Sequence, residues 1–320
     1  MKCLICYKLL DKSEIGYHKK CLKKEFGLKQ MPSIDIDEKE LKKYAKELIE
    51  ANIAITGVQP KLSLWLEESN QNIRFTIVDN KSNFIIKPQS EVYQFLPENE
   101  DLCMHLASVL DIKTAKHSLI QSSSKTLAYI TQRFDRKRGR KLASEDLCQL
   151  TETLTEHKYR SSYEKTGKII RKYSSQSGFD ALSYFELILF SFIIGNADMH
   201  LKNFSMLENI DNHFSLSPAY DLLSTFLVID NEDEQMSLTI NGRKNKIKIR
   251  DFDILGKSLK LTEKQTENSY QKFISKEKEI KWWIENSFLP SNQKEKLQIL
   301  IDQRMKILTK KPAGDTMYSA

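Results

Sequence analysis

A long apolar segment that runs directly into a short polar loop constrains this chain more than any other feature. Residues 179–194 are mostly apolar, and their two charged members are Asp180 and Glu186. Because of these charges, and of Asn196 just beyond, the uninterrupted apolar run is shorter than the about 18 to 20 residues that a membrane span requires. The sequence therefore predicts a buried core helix of a folded lobe, which would hold the following loop rigidly.

The polar loop and a later motif carry the oxygen groups that phosphoryl transfer requires. Asp198 is followed five residues later by Asn203, and Asp221 lies eighteen residues beyond that. One carboxylate must orient or accept the proton of the attacking hydroxyl, and we assign this role to Asp198. Asn203 and Asp221 offer the hard oxygen atoms that magnesium prefers. Each residue alone would indicate an ordinary loop, but the ordered set behind an apolar helix predicts a nucleotide-dependent phosphotransferase.

A short segment upstream is a candidate for binding the phosphates. Residues 55–61 read Ile-Thr-Gly-Val-Gln-Pro-Lys and lie between a charged amphipathic helix, predicted over 35–51, and a strand predicted over 62–66. A turn at Gly57 would bring backbone N–H groups to phosphate oxygens. As a glycine motif the segment is weak, so a plain turn remains the alternative.

A strand and a helix follow that segment. Residues 83–88 predict a β-branched strand that ends in Lys87, and residues 97–107 predict a helix with an acidic first turn. Lys87 is suited to pairing with phosphates, and Glu100 to holding that lysine, although a solvated strand end is the alternative for a lysine. Residues 126–136 predict a further strand, whose backbone would link two lobes and meet an adenine base.

Seven motifs in order resemble the HipA family of serine/threonine kinases. They are residues 57–61, 86–88, 99–100, 132–136, 145–149, 196–203 and 219–221. The resemblance covers about residues 50–225, and compatible helical sequence continues to about residue 310. It implies an α+β fold of the two-lobed, protein-kinase-like type, with a small sheet-rich lobe over a helical lobe. Members of this family are toxins of bacterial toxin–antitoxin systems that phosphorylate aminoacyl-tRNA synthetases.

The resemblance implies a role for each matching position, with ATP and Mg²⁺ as cofactors. Asp198 would be the catalytic base, and Asn203 and Asp221 the magnesium ligands. Lys87 would contact the phosphates, with Glu100 behind it. The residues expected around the nucleotide are Thr56, Gly57, Val58, Gln59, Pro60, Lys61, Lys87, Gln132, Arg133, Phe134, His200, Lys202, Asn203, Tyr220 and Asp221.

Two features depart from the long members of that family. Only about fifty residues precede the phosphate loop here, whereas the long members carry an extra N-terminal subdomain. The chain is similar to the short, HipT-like branch, so the expected partners are small antitoxins, one supplying that subdomain and one binding DNA. The family's autophosphorylated loop serines are replaced by Ala54 and Thr56, so we expect self-phosphorylation at Thr56 if anywhere in this loop.

The first thirty residues carry a separate signal for metal binding. The spacing is C-x2-C, eleven residues, then H-x2-C, formed by Cys3, Cys6, His18 and Cys21. Three thiolates and one imidazole can close a tetrahedral Zn²⁺ site of the structural kind. The alternative is free cysteines on an ordinary basic extension.

The chain is long enough for one two-lobed unit, with 320 residues of which 40% are hydrophobic. We predict a zinc-binding extension over 1–30, an N-lobe with the phosphate loop and lysine over 31–135, and a helical C-lobe over 136–320. Residues 151–178, rich in Ser, Thr, Lys and Tyr, predict a mobile insert or a loop that faces the substrate. Met1 leads into the cysteines and not into an apolar leader, so we expect a cytoplasmic location.

The formal net charge of +7 leaves a second class of function open. Basic clusters lie at 133–141, 158–172 and 243–250, and a zinc knuckle is compatible with nucleic acid. The alternative hypothesis is therefore a basic, zinc-containing nucleic-acid-binding protein without kinase activity. Because lysine runs are more often solvated faces, and the sequence shows no helix-turn-helix, we expect no direct nucleic-acid contact and no membrane partner.

Overall fold

The computed structural model describes residues 1–34, 61–68, 73–78, 82–122, 125–137, 140–209, 213–230 and 233–309. The predicted helix over 35–51 and the predicted phosphate loop up to Pro60 lie outside these ranges. The described residues form a sheet-rich lobe and a helical lobe.

A six-stranded sheet forms the centre of the N-lobe. Its strands are β1 (Ser33–Ile34), β2 (Leu62–Glu68), β3 (Ile73–Ile77), β4 (Phe84–Lys87), β5 (His117–Gln121) and β6 (Leu127–Gln132). Their order is β1-β3-β2-β4-β6-β5, and the pairs are antiparallel except for β1 with β3. Because β4 is paired on both sides, its last residue, Lys87, is held opposite Tyr129 of β6.

Helices dominate the rest of the described chain. They are α1 (Lys19–Phe26), α2 (Leu96–Val109), α3 (Leu147–Leu150), α4 (Tyr163–Tyr173), α5 (Ser177–Ile194), α6 (Ile249–Ser258), α7 (Glu263–Ser275), α8 (Glu277–Asn286) and α9 (Ser291–Thr309). Short strands β7 (Arg136–Lys137) and β8 (Arg140–Lys141) form a hairpin. A three-stranded sheet contains β9 (Ser144–Asp146), β10 (Ser205–Glu208) and β11 (Phe214–Leu216).

Helix α2 lies at the junction of the two lobes. It contacts β5 and β6 of the sheet and also α5 and α8 of the helical lobe. Its first turn contains Pro97, whose missing N–H costs little there because the first N–H groups of a helix have no partner within the helix. Even its polar residues Glu98, Asn99 and Glu100 are buried, so this helix is enclosed by protein on nearly all sides.

Helix α5 is the core of the C-lobe, and it extends two residues beyond the predicted start. By length and composition it could cross a membrane, but 67% of it is buried inside the protein, as expected of a core helix. It ends at Gly195, which has φ +73. A Cβ atom there would lie 2.7 Å from Leu300 Cδ2, so the position requires glycine both for its backbone angle and for space.

The prediction of a mobile insert over 151–178 was wrong for most of that segment. Helix α4 occupies its middle, capped by Ser162, whose side chain accepts a hydrogen bond from the Lys165 N–H. Tyr163 and Ile170 are fully buried and pack into the C-lobe core. Composition was misleading here because the Ser- and Lys-rich sequence conceals one apolar face at helical spacing.

Candidate active site

The loop that carries Asp198 is shaped by buried polar side chains. Asn196 is completely buried, and its Oδ1 accepts a hydrogen bond from the Asp198 N–H at 3.0 Å. Thr225 Oγ1 accepts from the Ala197 N–H at 2.9 Å and donates to the Gly195 carbonyl at 2.9 Å. These bonds satisfy the backbone at the end of α5, and they present the Asp198 carboxylate at the surface, 46% exposed.

His200 holds the next turn of this loop. Its backbone N–H donates to the Asp198 carbonyl at 2.9 Å, and its own carbonyl accepts from the Asn203 N–H at 3.0 Å. Its Nε2 lies 3.9 Å from Asp198 Oδ1. Burial lowers the pKa of His200, and the negative charge of Asp198 only partly offsets this, so the imidazole is neutral at pH 7. His200 therefore shapes the loop without adding a permanent charge.

Tyr220 connects this loop to the segment that carries Asp221. Its hydroxyl donates to the Lys202 carbonyl at 2.8 Å and lies 2.6 Å from Ser205 Oγ. Its ring centroid lies 5.4 Å from that of Phe134, which follows β6. The two proposed metal-binding positions, Asn203 and Asp221, are thereby fixed on neighbouring segments, each one residue away from this hydrogen bond.

Lys87 joins three separate parts of the chain. Its Nζ donates to Glu100 Oε1 of α2 at 2.7 Å and also to the Asp221 carboxylate. The side chains of Lys87 and Glu100 are 10% and 1% exposed, whereas that of Asp221 is 41% exposed. The lysine is therefore clamped between a buried acid behind it and a more accessible acid on the C-lobe.

Burial and pairing act in opposite directions on these three groups. Burial raises the pKa of Glu100 to about 7, although Lys87 opposes it. Burial lowers the pKa of Lys87, but Asp221 and Glu100 outweigh it and keep that pKa above its usual value. Partial loss of contact with water tends to raise the pKa of Asp221, but the charges of Lys87 and Lys61 outweigh this effect and lower that pKa. Lys87 and Asp221 are thus charged at neutral pH, whereas Glu100 titrates near it.

Tyr159 contacts Asp198 and was not among the residues predicted from the sequence. Its hydroxyl donates to Asp198 Oδ1 at 2.6 Å, and its ring lies 5.0 Å from that of His200. It belongs to the segment preceding α4, which is joined to the Asp198 loop because the Lys158 carbonyl accepts a hydrogen bond from the Leu201 N–H. No sequence pattern marks Tyr159, and the one available signal was the expectation that residues 151–178 face the substrate.

Of the other residues expected around the nucleotide, some are described by the structure and others are not. Gln132 ends β6, opposite Phe84. Arg133 makes two hydrogen bonds with the Asp135 carboxylate, at 2.9 and 2.8 Å, so its guanidinium is already engaged within the protein. Lys61 is described and exposed, whereas the Thr56, Gly57, Val58, Gln59 and Pro60 positions lie outside the described residues.

A comparison with known protein families shows which family this chain belongs to. The profile described as the HipA-like C-terminal domain matches residues 53–281. The chain belongs to the HipA-like family. The whole site described above, from Lys61 to Thr225, lies inside the matched region.

Curated relatives of this HipA-like chain are kinases by name. A candidate kinase of Haemophilus influenzae is 28% identical over 184 residues, which is 54% of this chain and 52% of that protein. The serine/threonine-protein kinase toxin HipA of Shewanella oneidensis is 27% identical over 210 residues, covering 59% of this chain and 47% of that protein. The chain spans about half the length of the curated relatives that it matches.

Solved structures confirm the predicted two-lobed, kinase-like fold. HipA from Shewanella oneidensis, in a complex with HipB and operator DNA, superimposes with a TM-score of 0.65 at 20% identity. The match covers 80% of this chain and 64% of that one. The Helicobacter pylori proinflammatory kinase CtkA matches with a TM-score of 0.53 at 13% identity, covering 77% and 93% of the two chains. At these identities the likeness concerns the fold.

Proposed function

We propose that this HipA-like chain is an ATP-dependent serine/threonine protein kinase. The observation that carries the proposal is the position of Lys87, whose ammonium bridges Glu100 of α2 and Asp221 of the C-lobe. A lysine at a strand end, held by a helix glutamate and adjacent to a metal-binding aspartate, is the arrangement with which kinases grip the phosphates of ATP.

Asp198 would orient the acceptor hydroxyl and receive its proton. Its carboxylate is accessible, and its backbone is fixed by Asn196, so it can meet a substrate without rearrangement of the loop. The Tyr159 hydroxyl now donates to this carboxylate, as the hydroxyl of a bound serine or threonine would. An acceptor hydroxyl that approaches Oδ1 would therefore compete with Tyr159 for this oxygen.

The residues present fit a magnesium ion. Asp221 offers a carboxylate and Asn203 an amide oxygen, and both are hard donors on adjacent segments. Bound magnesium would neutralise charge on the nucleotide phosphates. Lys87 would contact the same phosphates, and its pairing with Asp221 keeps the ammonium beside the proposed metal-binding carboxylate.

We further propose that the chain acts as the toxin of a bacterial toxin–antitoxin system and phosphorylates an aminoacyl-tRNA synthetase. Membership of the HipA-like family supports this, as does the relative from Shewanella oneidensis, which is named a kinase toxin. The solved complex of that HipA contains HipB and operator DNA, which supports a small antitoxin as the partner here.

Labelled ATP added to the purified chain and a bacterial lysate tests the activity and the substrate together. We expect labelling of one dominant protein, on serine or threonine, with a mass in the range of the synthetases. An Asp198→Asn chain serves as the control, and its labelling should be weaker by about a hundredfold or more. If the wild-type chain neither transfers label nor consumes ATP in the presence of Mg²⁺, the kinase proposal is wrong. If label reaches a protein of another class, only the synthetase proposal fails.

A further inference from the structure

The four residues singled out near the N-terminus converge on one point. The ligand atoms of Cys3, Cys6, His18 and Cys21 all lie within 4.8 Å of one another. His18 Nδ1 lies 3.3 Å from Cys6 Sγ and 3.7 Å from Cys21 Sγ. Zinc bonds of the usual length in a tetrahedron would place nitrogen and sulfur about 3.6 Å apart. The two nitrogen–sulfur distances are therefore close to those of a tetrahedral zinc site.

The backbone around Cys3 and Cys6 forms a tight turn. The Cys3 N–H donates to the Lys8 carbonyl at 2.8 Å, and the Tyr7 N–H donates to the Cys3 carbonyl at 3.0 Å, which brings Cys3 and Cys6 to the same side. Tyr7 adopts φ 59, a left-handed angle that is rare for an aromatic residue and closes this turn. The His18 N–H also points to Cys3 Sγ at 3.4 Å.

The orientation of the His18 ring agrees with a role as a ligand. Its Nε2 lies 3.0 Å from the Leu9 carbonyl, an acceptor, so Nε2 carries the proton. The lone pair of Nδ1 then faces the three sulfurs. Metal-binding histidines usually donate their second N–H to a carbonyl or carboxylate in this way, which fixes the tautomer and the ring.

A second group within the described residues shows that proximity alone is not sufficient. Asp101, His105 and His117 also place their ligand atoms within 4.8 Å of one another. Both Asp101 oxygens are already used, because His117 Nδ1 donates to Oδ1 at 2.7 Å and the Tyr7 hydroxyl donates to Oδ2 at 2.6 Å. This group is a buried hydrogen-bond network, whereas the cysteine group offers three soft donors and a directed nitrogen.

The cysteine group is joined to that network through Tyr7, the residue directly after Cys6. The Tyr7 ring is 1% exposed and lies 4.9 Å from the ring of Trp283 in α8. Its hydroxyl reaches Asp101 in α2, the neighbour of Glu100. The turn that contains Cys3 and Cys6 therefore places the Tyr7 side chain between α8 and helix α2, whose Glu100 holds Lys87.

We propose that Cys3, Cys6, His18 and Cys21 bind one structural Zn²⁺, and that the metal holds Tyr7 in place as a clamp on helix α2. Binding releases the three thiol protons and forms three Zn–S bonds and one Zn–N bond. No open position remains, so the metal does no chemistry of its own. Because the closed turn buries Tyr7 against α2, loss of the metal should loosen that contact first.

Metal content of the whole chain tests the site. Protein purified without chelator, in reducing buffer, should contain about one equivalent of zinc, with sulfur near 2.3 Å by X-ray absorption. Replacement by Co²⁺ should give a thiolate charge-transfer band. Cys6→Ser and Cys21→Ser should lose most of the metal, whereas Cys148→Ser, a buried cysteine outside the group, should retain it. Wild-type protein with less than about a tenth of an equivalent after zinc supplementation, or with no sulfur ligands, overturns the proposal.

Hydrogen exchange tests the clamp independently of any kinase activity. Removal of zinc should accelerate amide exchange in residues 1–26 and in α2 by about tenfold or more, while α5 stays protected. Tyr7→Phe should keep its zinc and still accelerate exchange in α2, because it loses only the hydrogen bond to Asp101. If exchange in α2 is unchanged in both experiments, the clamp is wrong even where the zinc site stands.

Discussion

The two sides of the candidate active site are built in different ways. On the C-lobe side, Asp198, His200 and Asn203 lie within six residues, and short-range hydrogen bonds within that loop, including one to the Asn196 side chain, fix much of its shape. On the N-lobe side, Lys87 is positioned by Glu100 and Asp221, which are 13 and 134 residues away in the chain. One half is therefore a local structure at the end of a helix, and the other exists only when both lobes are in contact.

The two sides also differ in how much they contribute to the stability of the fold. The Asp198 carboxylate is 46% exposed, so the fold gains little from it. The Lys87 ammonium is buried next to the nearly inaccessible Glu100, so the fold depends on the pair being complete. Substitutions on the two sides should consequently affect transfer and unfolding in different proportions.

Asp198→Asn should have the largest effect on activity. We expect phosphoryl transfer to fall by about a hundredfold or more, because the asparagine cannot accept the proton of the acceptor hydroxyl. The free energy of unfolding should change little. Transfer of labelled phosphate and chemical denaturation measure the two quantities.

Asp111→Asn is the matched control for that change. Asp111 is exposed and has φ 57, an angle that asparagine tolerates well, so both quantities should stay at the wild-type values. Undiminished transfer by Asp198→Asn would remove the role assigned to this carboxylate.

Lys87→Met should reduce both activity and stability. The buried Glu100 loses its partner, at a cost of about 3 kcal/mol in the free energy of unfolding. Adding Glu100→Gln to the same chain should recover most of that stability but none of the transfer. Denaturant unfolding and the transfer assay, applied to both variants, test this.

Lys257→Met provides the comparison for a lysine outside the candidate active site. Its side chain is 69% exposed beside Glu263, so its removal should leave stability nearly unchanged. A stable but inactive Lys87→Met would mean that the two sides of the site do not differ as we infer.

Glu100→Gln should alter how stability depends on pH. Burial raises the pKa of Glu100 to about 7 from its ordinary 4.5. A raised pKa of this kind stabilises the fold fully below about pH 4.5, and this contribution is lost as the pH rises through about 7. The stability of the wild type relative to the glutamine variant should therefore fall across that window, by up to about 3 kcal/mol.

Melting temperatures of the two proteins across that pH range measure the effect. Glu263→Gln, at a side chain that is 90% exposed, should leave the pH profile unchanged. If the wild type instead gains stability relative to Glu100→Gln as the pH rises, Glu100 is ionised throughout and its attraction to Lys87 dominates.

Tyr159→Phe should have the smallest effect. It removes the hydroxyl that donates to Asp198 while keeping the ring beside His200. In the wild type this exposed hydrogen bond is worth about 0.5 to 1 kcal/mol and competes with the acceptor hydroxyl for Asp198. Without that competition the rate should rise about two- to fivefold. Steady-state transfer at substrate concentrations well below KM, which reports kcat/KM, measures this. A large decrease would instead make Tyr159 part of the transfer machinery.

Much of the C-lobe half was predictable from sequence because its information is local. The apolar run over 179–194 predicted a core helix, and α5 is that helix. The residues that cap and follow it occupy consecutive positions, so their order alone indicated the chemistry. The strand before Lys87 and the helix around Glu100 were predicted for the same reason, and their bounds differ by only one or two residues from those observed.

Only the tertiary structure decided which distant side chains meet. Nothing in the local sequence couples Tyr7 to Asp101, Tyr159 to Asp198, or Lys87 to Asp221, because these contacts depend on how lobes and loops pack. Helix α4 was not predicted because the burial of Tyr163 and Ile170 stabilises it, and the composition of residues 151–178 does not reveal that burial. The sequence by itself determined the chemical groups and the family, and long-range packing determined their partners and charge states, since burial and pairing exist only in the folded chain.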